Sequence, residues 1–173
     1  MSDPLGWLRT SEVAILLAIA ATGAYLLWPL FPRLKPPSST EIFGFQLAWR
    51  TARVREILAE WQRLGLLGRA RTMIDLDWPF IPLYSSTLAL AGTLAGRAVG
   101  TGDGETAAAL LAYGAVAAAL LDVSENVGLL AMLGGRTGQP VPALTSTAAL
   151  GKWVLVFLVP LGVLVLLFWA ALG

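Results

Sequence analysis

A short polar segment interrupts an apolar stretch of the chain and carries the residues best suited to chemistry. Residues 120–130 read LLDVSENVGLL, so Asp122, Glu125 and Asn126 stand among leucines and valines. Residues three and four positions apart share one face of a helix, so the three side chains are predicted to point the same way. A charged side chain at the centre of a membrane helix costs about 2.5–3.5 kcal/mol, so these groups must face protein, water or one another.

Two other segments offer partners for this polar face. Asp75 and Asp77 precede one apolar run, and Lys152 precedes another. One hypothesis is structural: Lys152, together with Arg71 or Arg50, pairs with the acids and fixes how the helices pack. The groups expected to complete the hydrogen bonding are Asn126 and either Thr145 or Ser146.

Two functional hypotheses use the same residues. In the first, Asp122, Glu125, Asn126 and Asp77 bind a proton or a hard cation such as Na⁺, Mg²⁺ or Ca²⁺, because carboxylate and amide oxygens suit such ions. In the second, the acids hold a divalent metal that activates a lipid phosphate, with Arg71 or Lys152 as an anion clamp. The Asp75-Leu-Asp77 pattern is too short to identify such an enzyme.

Composition places these residues in a membrane protein. The chain has 173 residues, of which 57% are hydrophobic and 13% charged, and its mean hydropathy is +0.72. Cysteine and histidine are both absent, which excludes disulfides and argues against zinc, iron–sulfur and histidine-ligated haem sites. The sequence also lacks a phosphate-binding glycine loop and any nucleic-acid-binding motif. These features lean against an enzyme.

The apolar runs predict an all-α membrane protein, a four-transmembrane-helix bundle forming one integral domain over residues 1–173. A span needs about 20 residues to cross about 30 Å of hydrocarbon. The predicted spans are residues 12–31, 77–97, 106–133 and 147–172. The depth of a residue can be counted at about 1.5 Å per residue from the non-cytoplasmic end of its span. By this count Asp77, Glu125 and Lys152 all lie about 30 Å from that end. The helices are therefore predicted to converge on an acidic pocket near one membrane surface.

The connection over residues 33–72 combines a proline-rich linker with an amphipathic helix. Apolar residues recur at helical spacing over residues 51–64 and alternate with charged ones, which predicts a helix that caps the bundle or lies in the headgroup layer. Residues 43–49 are expected to form an irregular or helical lead-in. Asp77 is expected to cap the helix that follows, with Pro79 in its first turn.

The distribution of basic residues predicts topology. Eight of the twelve lysines and arginines lie between the first two spans, which favours a cytoplasmic connection by the positive-inside rule. They are Arg33, Lys35, Arg50, Arg53, Arg55, Arg63, Arg69 and Arg71. Both termini would then lie outside a multi-pass protein of the cell (inner or plasma) membrane. Attraction to anionic lipid is an alternative reason for the same arginines.

Small residues indicate close helix packing. Gly92 and Gly96 lie four positions apart, and such residues let helix backbones approach within a membrane. The same helix faces could pack against other helices within one bundle, in a homo-oligomer or in a larger membrane complex. Partners other than the lipid bilayer are not identified, and no nucleic acid is expected.

These observations favour an ion- or small-ligand-binding transport component with an acidic pocket at its cytoplasmic face. The alternative is a non-enzymatic accessory or assembly subunit of a membrane complex. A metal-dependent lipid-active enzyme ranks third. The sequence does not name a substrate.

Overall fold

Helices provide all the regular secondary structure in the described part of the chain. The computed structural model describes residues 39–172, and no β-strand occurs among them. Five helices follow one another: α1 Ser39–Gln46, α2 Thr51–Arg63, α3 Leu67–Val99, α4 Gly102–Leu133 and α5 Val141–Leu172. The predicted first span, residues 12–31, and the linker residues 33–38 lie outside the described residues.

Two of the described helices, α4 and α5, are long and apolar enough to cross a membrane. Each has 32 residues, and therefore a length of about 48 Å at 1.5 Å per residue. Their apolar windows have mean hydropathies of 1.8 and 2.8, yet only 33% and 17% of those windows are buried. A core helix of a water-soluble protein would be mostly buried, so the exposed apolar side chains of both helices indicate a membrane environment.

The start of α3 differs from the prediction. The expectation that Asp77 caps this helix is wrong, because the helix begins at Leu67 and Asp77 and Pro79 lie in its interior. Residues 67–76 contain several good helix formers, including leucine, arginine and alanine, which extend the helix toward its N-terminus. An ion pair of 3.6 Å between Arg71 and Asp75 adds support over one turn.

Helix α2 is amphipathic, over nearly the range predicted for such a helix. Its buried residues are Val54, Ile57 and Trp61, while its charged side chains are exposed. On the exposed face Arg63 donates to Glu60 at 2.9 Å, and this hydrogen bond lowers the pKa of the Glu60 carboxyl group. Such exposed pairs contribute little to stability, so burial of the apolar face holds α2 in place.

Glycines with positive φ end both α2 and α4. Gly65 has φ +68° and Gly135 has φ +93°, a conformation that glycine adopts without steric cost. After α4, the Gly135 N–H donates to the Met132 carbonyl and the Arg136 N–H to the Ala131 carbonyl. This pattern is a Schellman motif, which turns the chain sharply from α4 into the short connection before α5.

One compact unit of the structure comprises, among the described residues, 39–81 and Leu120–Lys152. Its apolar core brings together α1, α2, the start of α3 and the end of α4. The rings of Phe45 and Trp61 lie there with centroids 4.8 Å apart. The buried core residues are Phe45, Ala48, Val54, Ile57, Trp61, Ala70, Ile74, Leu129 and Met132.

The other compact unit comprises, among the described residues, Pro82–Ala119 and residues 153–172. Small residues bring α3 and α4 together in this unit. A Cβ atom added to Gly92 would lie 2.9 Å from Leu111 Cβ, and one added to Gly96 would collide with Ala108 and the Gly104 carbonyl. The two glycines predicted as packing residues therefore face α4 of the same chain.

Helices α4 and α5 approach closely at Gly128 in the first unit. A Cβ atom added at this position would overlap the side chain of Thr145, including its Oγ1 atom. Thr145 has little freedom to move aside because its hydroxyl donates to the Val141 carbonyl at 2.8 Å and its side chain is buried.

We predict that Gly128→Ala destabilises the protein by about 1–3 kcal/mol, the usual cost of adding a methyl group to a close-packed interface. Gly68→Ala is the control, because a Cβ atom there meets nothing within 4 Å in the same unit. Thermal unfolding in detergent measures both. Equal melting temperatures for the two variants would contradict the close approach of α4 and α5.

Candidate functional site

Five polar residues from three helices form the candidate site within the first unit. The acid–lysine cluster consists of Asp77 on α3, Asp122, Glu125 and Asn126 on α4, and Lys152 on α5. The residues of α4 share one helix face because they are three and four positions apart. Asp122, Glu125, Asn126 and Lys152 are only 3%, 0%, 1% and 6% exposed, respectively.

Lys152 contacts both acids of α4. Its Nζ atom donates a hydrogen bond of 3.0 Å to Asp122 Oδ1 and lies 2.6 Å from Glu125 Oε2. Neither oxygen of Glu125 has a hydrogen-bond partner among the described residues, so this second contact is an ion pair. One buried ammonium group thus joins α5 to two positions of α4.

Asp77 joins α3 to the same cluster. Its Oδ2 atom accepts a hydrogen bond of 3.0 Å from Asn126 Nδ2, so Asn126 links α3 to the face of α4 that carries Asp122 and Glu125. Asp77 is half-buried, unlike the four residues on α4 and α5. The cluster therefore combines three carboxyl groups with one ammonium group, and its partly exposed member is an acid.

Two residues predicted for the site lie elsewhere on the unit. Asp75 and Arg71 pair with each other, with side chains 50% and 64% exposed. Asp75 lies two residues from Asp77, about 200° around the helix, so only one of the two can face the cluster. The structure therefore brings together Asp77, Asp122, Glu125, Asn126 and Lys152, and leaves Asp75 and the proposed anion clamp Arg71 at the surface.

The hydroxyl groups expected to complete the cluster bond to backbone instead. The Thr145 hydroxyl donates to the Val141 carbonyl one turn earlier. Ser146 Oγ accepts a hydrogen bond of 3.0 Å from the backbone N–H of Trp49. Both hydroxyls are buried, and they hold α5 and the segment before α2 rather than the carboxylates.

The geometry bears on which ion the cluster could hold. Among residues 39–172, no group of three or more histidine, cysteine, aspartate or glutamate side chains is arranged to hold a metal ion. The Lys152 ammonium group lies between Asp122 and Glu125, where a cation bound by these two acids would have to sit. Hard cations such as Mg²⁺ and Ca²⁺ require six or more oxygen ligands. The arrangement thus suits a proton better than a metal ion.

Trp49 makes contacts that no pattern in the sequence predicts. Besides the hydrogen bond to Ser146, the Trp49 carbonyl accepts a hydrogen bond of 2.8 Å from Gln139 Nε2. Trp49 also has φ +48°, which is uncommon for a residue other than glycine. These partners are separated from Trp49 by 90 or more positions, and no local pattern in the sequence indicates them.

No protein-family model matches this chain, and comparisons with curated proteins and with solved structures find no similar protein.

We predict that Lys152→Met destabilises the protein by about 3–5 kcal/mol, because it leaves two buried carboxyl groups without their counter-charge. The triple variant Lys152→Met, Asp122→Asn, Glu125→Gln removes all three charges and should recover most of the loss. Arg71→Met, which breaks an exposed pair, is the control and should cost less than about 1 kcal/mol. Thermal or denaturant unfolding in detergent measures each. A Lys152→Met variant as stable as Arg71→Met would contradict the buried ion pair.

Proposed function

We propose that this chain is a multi-pass integral membrane protein that binds a proton at the acid–lysine cluster and serves as an ion-coupled transport component. The observation that carries the proposal is the burial of two acids, Asp122 and Glu125, against the single ammonium group of Lys152, with Asp77 bonded to Asn126 of the same cluster. One ammonium group balances only one ionised carboxylate, and a buried charge without compensation is costly, so protonation of one acid relieves the excess negative charge. Ionisable groups inside membrane helices are expensive and are most often functional.

The exposure of the acids supports a route for this proton. Asp77 is half-buried, whereas Asp122 and Glu125 are buried. Glu125 Oε1 has no hydrogen-bond partner among the described residues, so it keeps a lone pair that can accept a proton. We propose that Asp77 exchanges protons with water, that Asp122 shares the proton with it, and that Lys152 balances the remaining negative charge.

We further propose four spans, over residues 12–31, 77–97, 106–133 and 147–172, with both termini outside the cytoplasm. The apolar surfaces of α4 and α5 support the last two spans. The excess of arginine between the first two spans supports a cytoplasmic connection. Residues 134–140 would then lie on the cytoplasmic side as well, because two spans separate them from that connection.

The proton should be visible directly. We predict that wild-type protein at neutral pH shows an infrared band of a protonated carboxylic acid, and that Asp77→Asn reduces it because the cluster then has one carboxyl group fewer. Asp75→Asn is a matched control two residues away, and it should leave the band unchanged because Asp75 pairs with Arg71 at the surface.

Transport is measured on the same variants in proteoliposomes. Asp122→Asn and Asp77→Asn should abolish dissipation of an imposed pH gradient, whereas Asp75→Asn should retain it. A wild-type protein without the infrared band rejects proton binding at the cluster. A band that responds to Asp77→Asn, with no flux by any variant, retains proton binding and rejects transport.

Topology can be tested with single cysteines because the chain has none of its own. Gly102 begins α4 and Gly138 follows its end, and a Cβ atom at either position meets nothing within 4 Å. We predict that an impermeant maleimide labels Gly102→Cys in intact cells and Gly138→Cys only after permeabilisation. The reverse pattern would overturn the proposed orientation, and labelling of both in intact cells would overturn the span between them.

A second candidate function is that of an accessory or assembly subunit. It is favoured by the large exposed apolar side chains of α5, such as Phe157 and Phe168, which are 69% and 67% exposed and could pack on a partner helix as well as on lipid. This function predicts that a partner co-purifies in mild detergent and that substitutions at the cluster reduce only stability. A monodisperse particle of this chain alone, active in the flux assay, would exclude it.

A further inference from the structure

A group of basic side chains lies where the α4–α5 connection meets the start of α2. Arg50 precedes α2, Arg55 lies in its second turn, and Arg136 lies in the connection; all three are exposed. Arg55 Nε donates to Thr137 Oγ1 at 3.2 Å, which ties α2 to the residue next to Arg136. We call Trp49, Arg50, Arg55 and Arg136 the basic rim.

The backbone of the basic rim is held in place from both sides. The Schellman motif at Gly135 fixes the path of the chain through Arg136. Hydrogen bonds from Trp49 to Ser146 and from Gln139 to Trp49 fix the segment before Arg50. The left-handed conformation of Trp49 persists because these contacts determine it. The rim is therefore a preformed surface.

The arginines of the rim differ from the other arginines of the same unit. Arg53, Arg63 and Arg71 each pair with an acid three or four positions away on their own helix. Arg50, Arg55 and Arg136 have no acidic partner among the described residues. The rim therefore carries positive charge that no acid among residues 39–172 neutralises by an ion pair.

An exposed indole adjoins this charge. Trp49, next to Arg50 in the chain, is 41% exposed. Tryptophan prefers the boundary between headgroups and hydrocarbon, and the proposed spans end at residue 133 and begin again at residue 147, on either side of the connection. Guanidinium groups bind phosphate oxygens through paired hydrogen bonds. Positive charge beside an exposed indole fits the headgroup and the interfacial region of a phospholipid.

We propose that the basic rim binds the phosphate headgroup of an anionic phospholipid, with Trp49 against the start of its acyl chains. The inference rests on the proposed insertion of α4 and α5 in a membrane. It does not depend on proton binding at the acid–lysine cluster. A soluble phosphate compound would use the arginines but would gain nothing from the exposed indole of Trp49.

The test uses the full-length protein equilibrated in detergent with an equimolar mixture of phosphatidylglycerol and phosphatidylcholine. Native mass spectrometry measures which lipid is retained. Wild type should prefer phosphatidylglycerol, and Arg50→Gln with Arg136→Gln should reduce the preference about 25-fold, since each interfacial arginine contributes about fivefold. Arg50→Lys with Arg136→Lys should retain most of it.

Arg53→Gln with Arg63→Gln is the matched control, because it removes two positive charges from α2 at residues that already pair with acids. This variant should keep the lipid preference. An equal loss in both pairs of variants, or no preference in wild type, would overturn the proposal. Displacement of phosphatidylglycerol by inorganic phosphate alone would reassign the site to a soluble anion.

Extraction from membranes tests the proposed membrane insertion separately from the lipid site. If alkaline carbonate releases the protein without detergent, the proposed membrane insertion is wrong and the lipid site is wrong with it. If the protein stays in the membrane fraction and no lipid preference appears, only the lipid site is rejected.

Discussion

The buried ammonium group of Lys152 is the interaction on which the first unit of the structure depends. It lies 3.0 Å from Asp122 Oδ1 and 2.6 Å from Glu125 Oε2, so it contacts two positions one helical turn apart on α4. Apolar packing is non-directional and tolerates sliding of one helix along another, whereas an ion pair with two fixed acceptors does not. Gly128 permits the required approach of α5, because any side chain there would overlap Thr145. The ion pairs of Lys152 and the close packing at Gly128 together fix the position of α5 along α4.

The same interaction leaves the cluster chemically unbalanced. Lys152 supplies one positive charge, and Asp122, Glu125 and Asp77 supply three carboxyl groups. The alignment of α5 on α4 uses the ammonium group and the carboxyl groups of Asp122 and Glu125, and Asp77 adds a third acid with a further desolvation cost. Under the proposed function, the excess of acids over ammonium groups allows the cluster to take up and release protons. Helix alignment and proton binding are then two consequences of one arrangement.

The sequence predicted this cluster better than it predicted the helix bounds or the surface contacts. Spacing of three and four along α4 grouped Asp122, Glu125 and Asn126, and depth counting brought Lys152 and Asp77 to the same level. Neither pattern shows whether Asp75 or Asp77 faces the cluster, because that depends on how α3 is rotated about its axis. The cap assigned to Asp77 failed because the helix-forming residues before it continue the helix. The hydrogen bonds of Trp49 were beyond prediction because they join residues that only the tertiary structure brings together.

The chemistry is concentrated in one of the two compact units. Every buried charged residue among those described belongs to the unit of residues 39–81 and Leu120–Lys152, whereas the buried polar residue Thr93 of the other unit bonds to its own helix backbone. The second unit instead uses Gly92 and Gly96 for close backbone contact. In lipid, small residues give tight packing without polar groups, whereas polar groups require partners. The first unit supplies such partners for its buried acids through Lys152, and Asn126 does the same for Asp77. The separation explains how one small chain combines apolar α4 and α5 surfaces with a buried ionisable site.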